Sequence, residues 1–539
     1  MNKVIILIFL YLICIPLEIN SQVMQEWVAT YSGTGSGYNF PKKSAIDKFG
    51  NFIIAGNSSN TGGYDYVVLK YSPSGVLIWS RRYNGIVNGY DYLSGMVLDD
   101  SGNIYVTGSS DEGMLYGGVN WLTIKYNSDG IMQWKRSLNW KANGTDESFG
   151  MTIDKNSNIY VIGYGKTISV YRQMITIKYD SNGYLLWTKV YRSNPDTHDW
   201  GYSVVTDDSL NVYSSGYGII PTGNEIVNIK YDSNGNEKWV NKFPTHDGDW
   251  LRPTYSSINE FSNLIVVGYN YTSTSYYDFV TLKYSSDGKL LWNRLFDRGD
   301  DDYANSLFLD NESNILIGGI TVDSNFKDFL VVKYSTDGDL QFMKIFNGGA
   351  SLQDEASSII SDTMRNIYVT GFTQSILNYF DYLTIKLSPV GDTIWSKIYR
   401  TNYDNYARCL NLDNDGSVYV SGSGGTPGGN SQMASIKYSQ LTGMIINSNP
   451  DSVRYQLSNY PNPFNVNTQI SFQIPENSFI TLIVNDITGK KIETLINEFQ
   501  NRGNYKVNFK GESYSSGVYF YSLICKGQIV KTRRMLIIK

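Results

Sequence analysis

Apolar and polar residues alternate along most of this chain in short runs cut by turn residues. Between Asn88 and Leu138, Ser94–Leu98 alternates weakly and stops at Asp99-Asp-Ser-Gly-Asn103, after which Ile104–Gly108 resumes. Asn120–Tyr126, the turn Asn127-Ser-Asp-Gly130 and Ile131–Ser137 follow. Runs of period two between Gly, Asn and Asp clusters predict four antiparallel strands joined as two hairpins. On the third strand Leu122, Ile124 and Tyr126 face one way, and Trp121, Thr123 and Lys125 face the other. Both faces are bulky, so such a sheet needs a neighbour on each side, which a row of four-stranded blades around an axis supplies.

The pattern repeats. Aligning Asp65–Trp79 (DYVVLKYSPSGVLIW) on its lysine gives Lys70, Lys125, Lys178, Lys230, Lys283, Lys333, Lys386 and Lys437, spaced 55, 53, 52, 53, 50, 53 and 51 residues apart. Nine residues on stands an aromatic: Trp79, Trp134, Trp187, Trp239, Trp292, Phe342 and Trp395. The first hairpin turn recurs as often, at Asp47–Asn51, Asp99–Asn103, Asp154–Asn158, Asp207–Asn211, Asn259–Asn263, Asp310–Asn314, Asp362–Asn366 and Asp413–Ser417. A fixed period points to one repeat array rather than several domains, and a unit longer than the ~40–45 residues of a WD40 blade places the surplus in loops. The eighth copy lacks its aromatic fourth strand, whereas Trp27-Val-Ala-Thr-Tyr31 matches that strand and has no lysine before it. The expected fold is all-β: an eight-bladed β-propeller over residues 22–445, closed by the N-terminal strand so that two unpaired edges disappear. Met444-Ile-Ile446 is the rival for that slot.

Composition agrees, with 44 tyrosines, 50 glycines and 18% charged residues suiting short strands, tight turns and aromatics packed between layers. Residues 1–21 carry Lys3, the apolar run Val4–Leu17 and Glu18–Ser21. The run is shorter than the ~18 residues that span a bilayer, so it reads as a secretory signal cut near Ser21 rather than an anchor. Ile13 before Cys14 speaks against a lipoprotein. Cys409 and Cys525 remain after cleavage and form no disulfide framework. The net charge of −5 divides unevenly, residues 451–539 holding 11 Lys and Arg against 6 Asp and Glu. The acidic remainder gives no electrostatic reason to bind nucleic acid.

Residues 446–454 read as a linker around Asn447-Ser-Asn-Pro-Asp451. In residues 455–539 the period stops, and short alternating runs at Gln469–Ile474, Phe479–Asn485, Lys491–Ile496, Tyr505–Phe509, Val518–Ile524 and Ile529–Ile538 predict a small Ig-like β-sandwich.

Two resemblances sharpen this reading. Asn103-Ile-Tyr-Val-Thr-Gly108, Asp381-Tyr-Leu-Thr-Ile-Lys386 and Gly288-Lys-Leu-Leu-Trp292 resemble the units of the bacterial beta-propeller repeat family, over roughly Trp27–Gly443; Phe342 and Glu225-Ile-Val-Asn-Ile-Lys230 depart from it. That family implies a fold and an extracellular setting, not a reaction. The tail resembles the type A C-terminal sorting domain of the type IX secretion system. The resemblance rests on Tyr460-Pro461-Asn462-Pro463-Phe464-Asn465, Asp486-Ile-Thr-Gly489-Lys490, Ser516-Gly517-Val-Tyr519-Phe-Tyr521 and a basic ending from Lys531 to Lys539. A flagellar-hook-capping family opens similarly, but the tail's place at the chain end and the signal favour sorting. The resemblance implies the type IX machinery as partner, recognition at the outer membrane, and a body that is released or attached to the surface.

Within the repeats, whatever recurs in every unit is read as structure and whatever breaks the pattern as candidate function. The eight lysines are read as flanking positions, stems packed and heads on a carboxylate or in water. A ring of Asn39, Asp91, Asp146, Asp199, Asp302, Asp354 and Asn405, with Asp249 displaced by an insertion, is expected to cap the loops between blades. The departures are Thr197-His198-Asp199-Trp200 and Thr245-His246-Asp247-Gly-Asp249-Trp250, which hold both histidines of the chain on adjacent units. His198, Asp199, Trp200, His246, Asp247, Asp249 and Trp250 therefore form the candidate binding set, for a sugar stacked on the tryptophans or for a metal, although zinc would want a third strong ligand at matched spacing. No HExxH, CxxC, P-loop, G-x-G-x-x-G or G-x-S-x-G occurs, and Asp297, Asp300, Asp301 and Asp302, like Asp413–Gly416, do not complete an EF-hand. No cofactor, metal or catalytic residue is expected. The functional expectation is a secreted or surface-attached scaffold binding an unknown extracellular protein or glycan. The alternatives are a hydrolase or lyase of extracellular polysaccharide using acidic loops, and a structural surface-layer component.

Overall fold

The structure is a computed structural model describing residues 23–33, 37–60, 62–113, 118–141, 144–168, 171–221, 223–244, 250–271, 277–323, 326–348, 352–375, 377, 379–440, 456–474, 477–486, 490–525 and 528–539. The signal segment 1–21, the linker 446–454 and Met444-Ile-Ile446 lie outside the described residues. Every regular element described is a β-strand, and the chain divides into two units at Leu441 and Thr442.

The described strands of the first unit form eight sheets. Sheet one comprises Asn39–Ile46, Phe52–Ser59, Tyr64–Tyr71 and Leu77–Tyr83 in antiparallel order. Sheets two to seven repeat it, opening at Asp91, Glu147, Asp199, Trp250, Asp302 and Asp354; sheet two gains a short parallel piece, Gly144–Thr145. Sheet eight takes Asn405–Leu412, Val418–Gly425 and Ser431–Gln440 from the last repeat and Val23–Tyr31 from the chain's start. First strands begin earlier than their alternation suggests: in sheet two the strand starts at Asp91, not Ser94. A bulge between Leu93 and Gly95 shifts the period by one residue.

Each sheet buries both faces. Leu122, Ile124 and Tyr126 join Ile53, Tyr66 and Val68 of sheet one, whereas Trp121 and Tyr105 join Ile159, Val161 and Ile175 of sheet three. Burying one such side chain is worth roughly 1.5–3 kcal/mol. Similar clusters lie between the following sheets, and Phe52, Ile54 and Val67 of sheet one share theirs with Tyr419 and Met433 of sheet eight.

The repeat lysine and tryptophan explain themselves here. Trp79 lies opposite Lys70, and both donate to the carbonyl oxygen of Ser128 in the third hairpin turn of sheet two, at 3.2 and 3.1 Å. Lys125 and Trp134 repeat this on Ser181, Lys178 and Trp187 on Ser233, Lys230 and Trp239 on Ser286, and Lys283 and Trp292 on Thr336. The expected carboxylate partner is present for Lys70 (Asp47), Lys333 (Asp310) and Lys437 (Glu26), but the recurrent acceptor is the neighbouring sheet's backbone. Gly130, at φ +76°, lies against the Trp79 indole, where a Cβ would come within 2.8 Å of the ring.

The second unit is a sandwich of a three-stranded and a four-stranded sheet. Leu457, Phe464, Ile470, Leu482, Phe509, Tyr521 and Met535 are among its core. All six predicted strands are present, preceded by Gln456–Tyr460. The opening motif is bolted to the final strand, Gln528–Ile537: Phe464 N–H donates to Leu536 O at 3.0 Å, and Asn462 Oδ1 accepts the Leu536 N–H at 2.9 Å. Pro461 O accepts from Thr468, and Pro463 and Asn465 flank the buried Phe464. Gly517 opens the strand that holds Tyr519, Lys531 sits in the final strand, and Lys539 donates to Glu512 O at 2.7 Å. Gly489 lies outside the described residues. Cys409 and Cys525 are buried.

Candidate functional site

Antiparallel order divides every sheet into two ends. One carries the Asp turns and the Lys–Trp joints. The other, the loop end, gathers the start of the first strand, the second hairpin connection and the loop leading to the next sheet.

At the loop end the first residue of the first strand is almost always a buried cap. Asp91 accepts the Gly85 N–H at 2.6 Å, Asp146 that of Trp140 at 2.7 Å, Asp199 that of Ser193 at 3.0 Å, Asp302 that of Arg298 at 2.9 Å and Asp354 that of Gly348 at 2.7 Å. Asn39 and Asn405 hold the same position but donate instead, from Nδ2 to Ser32 O at 3.1 Å and to Thr401 Oγ1 at 2.9 Å. Burial pushes the carboxyls of Asp91, Asp146, Asp199 and Asp302 up to about 6, against these bonds. In sheet five the residue eight before Asn259 and opposite Asn270 is Leu251, which is packed in the core. Asp249, with His246 and Asp247, lies outside the described residues.

The side chain after the cap points to solvent and the neighbouring rings. It is Trp200 in sheet four, stacked on its register partner Tyr217 with centroids 4.6 Å apart. Tyr217 lies 5.8 Å from Tyr202, which stacks on Phe149 of sheet three at 4.9 Å. Arg252 holds the same place in sheet five, its guanidinium 4.1 Å from the Tyr202 ring and 5.9 Å from Tyr269. Tyr277 then touches Tyr269, Tyr271 and, at 5.2 Å, Tyr303 of sheet six. A run of rings thus crosses four sheets. Within it Tyr217, Trp250, Arg252, Tyr269, Tyr271 and Tyr277 line an open hollow of about 480 Å³. Trp250 is 56% exposed, and Arg252 Nε has no hydrogen-bond partner among the described residues. Burial holds the Tyr217 phenol up at about 12, so it remains a neutral hydroxyl.

The candidate set divides on this face. Trp200 and Trp250 meet at Tyr217, one stacked on it and the other across the hollow. Asp199 is a buried loop cap. His198 accepts the Arg172 N–H on Nδ1 at 3.1 Å, and burial with the Arg172 charge lowers its pKa, so it is neutral and internally committed. No group of three or more His, Cys, Asp or Glu side chains placed to hold a metal occurs among the described residues. Asp413 accepts the Asp415 and Ser417 N–H groups as a plain turn, and Asp297 accepts that of Gly299. Tyr217, Arg252, Tyr269 and Tyr277 escaped the sequence reading because tyrosines in strands look like ordinary strand formers. The signal was Arg252, a charge at a position held by an aromatic in most units.

Comparisons with known proteins agree with this architecture. Residues 78–113 and 133–167 match the family described as Beta-propeller repeat, and residues 458–539 match the Secretion system C-terminal sorting domain. The chain carries beta-propeller repeats and a type IX sorting domain, from which secretion or surface display follows. No helix among the described residues is long and apolar enough to cross a membrane. Among solved structures, the chain is similar to a polysaccharide lyase, Uly1, at 10% identity and TM-score 0.41, covering 67% of this chain and 93% of that one. It is also similar to Sqt1 from Chaetomium thermophilum, at 8% identity and TM-score 0.45, covering 78% and 100%. A protein of unknown function from Dyadobacter fermentans matches at 10% and 0.36, covering 78% and 99%. No curated protein matches the chain.

Proposed function

We propose that this chain is an exported binding scaffold whose eight sheets close into one eight-bladed propeller and whose loop end holds an extracellular protein or glycan. Closure is supported by the sheet eight to sheet one joint, in which Trp27 Nε1 donates to Pro73 O at 3.0 Å and Gly75 lies against the indole, as at the internal joints. It is supported too by the core that Phe52, Ile54 and Val67 of sheet one share with Tyr419 and Met433 of sheet eight, and by Asn39 Nδ2 donating to Ser431 O at 2.6 Å. The signal at residues 1–21 would start export, with cleavage near Ser21, and the sorting domain would hand the body to the type IX machinery.

One observation carries the binding reading: Arg252 is held between Tyr202 and Tyr269, its Nε without a hydrogen-bond partner among the described residues, beside the exposed Trp250. Stacked rings around a pre-oriented guanidinium offer flat apolar contact and directed donors at little entropic cost. The test is array binding, glycan and protein, by the secreted chain and its Trp250→Ala and Arg252→Gln variants. Loss of a ligand by both variants supports the reading; equal binding by all three, or no ligand at all, removes it.

The second reading, a polysaccharide hydrolase or lyase, draws on the ring carboxyls near 6, a range suited to a general acid. Those groups are buried and already bonded to backbone N–H groups, which favours binding over catalysis. Release of new reducing ends or unsaturated products from a polysaccharide, abolished by Asp199→Asn, would reverse that preference.

A further inference from the structure

A second cleft lies on the loop end where sheets seven, eight and one meet. Its volume is about 520 Å³, and six rings line it: Tyr38, Phe40, Tyr64, Tyr379, Tyr403 and Tyr406. Tyr38, Tyr379 and Tyr403 are exposed, at 57, 41 and 36%. Phe40 and Tyr406 occupy the position after the cap in their strands, the place held by Trp200 in sheet four.

Cations gather beside these rings. Arg408 lines the cleft, three residues after the cap Asn405; Lys42 stands three residues after the cap Asn39 on the adjoining first strand. Those strands are joined by a Ser44–Asn411 hydrogen bond, and Asn39 Nδ2 donates at 2.6 Å to the carbonyl oxygen of Ser431 at the start of the third strand of sheet eight. Lys43 follows directly. None of Lys42, Lys43 and Arg408 forms an ion pair within 4.0 Å among the described residues. Burial, with the nearby charges of Arg408 and Lys43, lowers the Lys42 pKa. Asp404, the one carboxylate among the described residues that line the cleft, already accepts the Phe380 N–H at 3.1 Å.

We infer that this cleft takes an acidic saccharide, a chain of sugar rings bearing carboxylate or sulfate groups, with the tyrosines against the sugar faces and Arg408 and Lys42, whose Nζ lies 5.6 Å from the Phe40 ring, on the anionic groups. Flat rings suit the apolar faces of pyranoses, and an unpaired guanidinium offers the fork that a carboxylate or sulfate accepts. The site is separate from the Arg252 hollow, which belongs to other sheets, and stands or falls apart from it.

The test is calorimetric titration of the full secreted chain with tetragalacturonate, with its fully methyl-esterified form, and with a sulfated galactan oligosaccharide and its desulfated counterpart. At least one acidic probe is expected to bind about tenfold more tightly than its neutral counterpart, the difference one charge-assisted contact supplies. That preference should disappear in Arg408→Gln and weaken in Lys42→Gln, whereas Tyr403→Ala should weaken acidic and neutral probes alike. The carboxylated and sulfated arms decide which anion is preferred. Equal affinity for acidic and neutral probes, no binding of either acid, or an acid preference untouched by Arg408→Gln overturns the inference. Binding lost in Trp250→Ala but kept in Arg408→Gln would assign the ligand to the Arg252 hollow, overturning this site while leaving the scaffold reading intact. Arg408 is exposed, and an unchanged melting temperature in its variant confirms that the fold is retained.

Discussion

Trp27, near the start of the described chain, stands in register opposite Lys437, the last of the eight repeat lysines. The pair repeats Lys70 and Trp79, but its members come from opposite ends of the repeat unit. The N-terminal segment therefore supplies the fourth strand of sheet eight, and Trp27 extends the joint to Pro73 of sheet one. Ala29 and Ser435 are direct partners in the same ladder. Such pairs lie ~4.5–5.5 Å apart between Cα atoms, within disulfide range. The double variant Ala29→Cys, Ser435→Cys should form a bond on oxidation and raise the melting temperature. A free-thiol assay that still finds both new cysteines after mild oxidation would count against this pairing.

The joints themselves predict a graded series. Trp134 shares the Ser181 carbonyl with Lys125, and Gly183 packs on its ring with φ +79°. Trp134→Ala removes a large packed ring and should cost about 3–5 kcal/mol. Trp134→Phe keeps the ring and loses one hydrogen bond, about 1 kcal/mol; the chain already uses Phe342 there in sheet six. Gly183→Val combines positive φ with a Cβ some 2.7 Å from the indole and should be the more damaging of the two conservative changes. Melting temperatures that failed to rank Trp134→Phe above Gly183→Val would disprove this account.

The buried caps give a pH dependence opposite to that of the turns. Asp91, Asp146, Asp199 and Asp302 have folded-state values near 6, above the ~3.9 of an unfolded aspartate. Their contribution to stability is full below about pH 4 and is lost as pH rises through 6. In the turns, burial would raise Asp47 and Asp207, but hydrogen bonds from Asn51 with Lys70, and from Asn211 with Tyr213, outweigh it and lower both. Those groups stabilise above about pH 4 and fail as acid protonates them. Asp91→Asn mimics the protonated cap, as Asn39 and Asn405 do naturally. Its melting temperature relative to wild type should rise between pH 4 and 7, by the equivalent of about 1–3 kcal/mol. A difference independent of pH would remove the assigned shift.

Much of this fold was legible because its joints reuse the same residue types at nearly constant spacing. Lys70 and Trp79 are nine apart because a hairpin puts them opposite each other, so the period in the sequence is also a register in space. Legibility failed where geometry departs from period two. The bulge after Leu93 hid the start of the first strand, and in sheet five the position opposite Asn270 is taken by Leu251 in place of a polar cap. The candidate site was half visible: Trp200 and Trp250 stood out as pattern breaks, whereas Tyr217, Tyr269 and Tyr277 converge only when separate strands fold side by side. His198 drew notice by rarity, although its Nδ1 is committed to the Arg172 N–H.

The sorting domain offers the sharpest secretion prediction. Asn462 accepts the Leu536 N–H and donates to Arg534 O at 3.1 Å, so the opening motif and the final strand are held together by one side chain. Phe464 adds a parallel bridge to Ile537 and packs near Phe509 at 6.1 Å. If the machinery reads the assembled sandwich, Asn462→Ala loses two hydrogen bonds to that strand, about 1–3 kcal/mol together, and Phe464→Ala loses core packing worth about 3–5 kcal/mol. Fractionation of cells expressing each variant should show material moving from the extracellular and surface fractions to the periplasm, more strongly for Phe464→Ala. The repeat unit should melt as in the wild type, because neither residue contributes to its clusters. Full export of Phe464→Ala would mean that recognition reads a linear stretch of the tail and not the packed contact between its two ends.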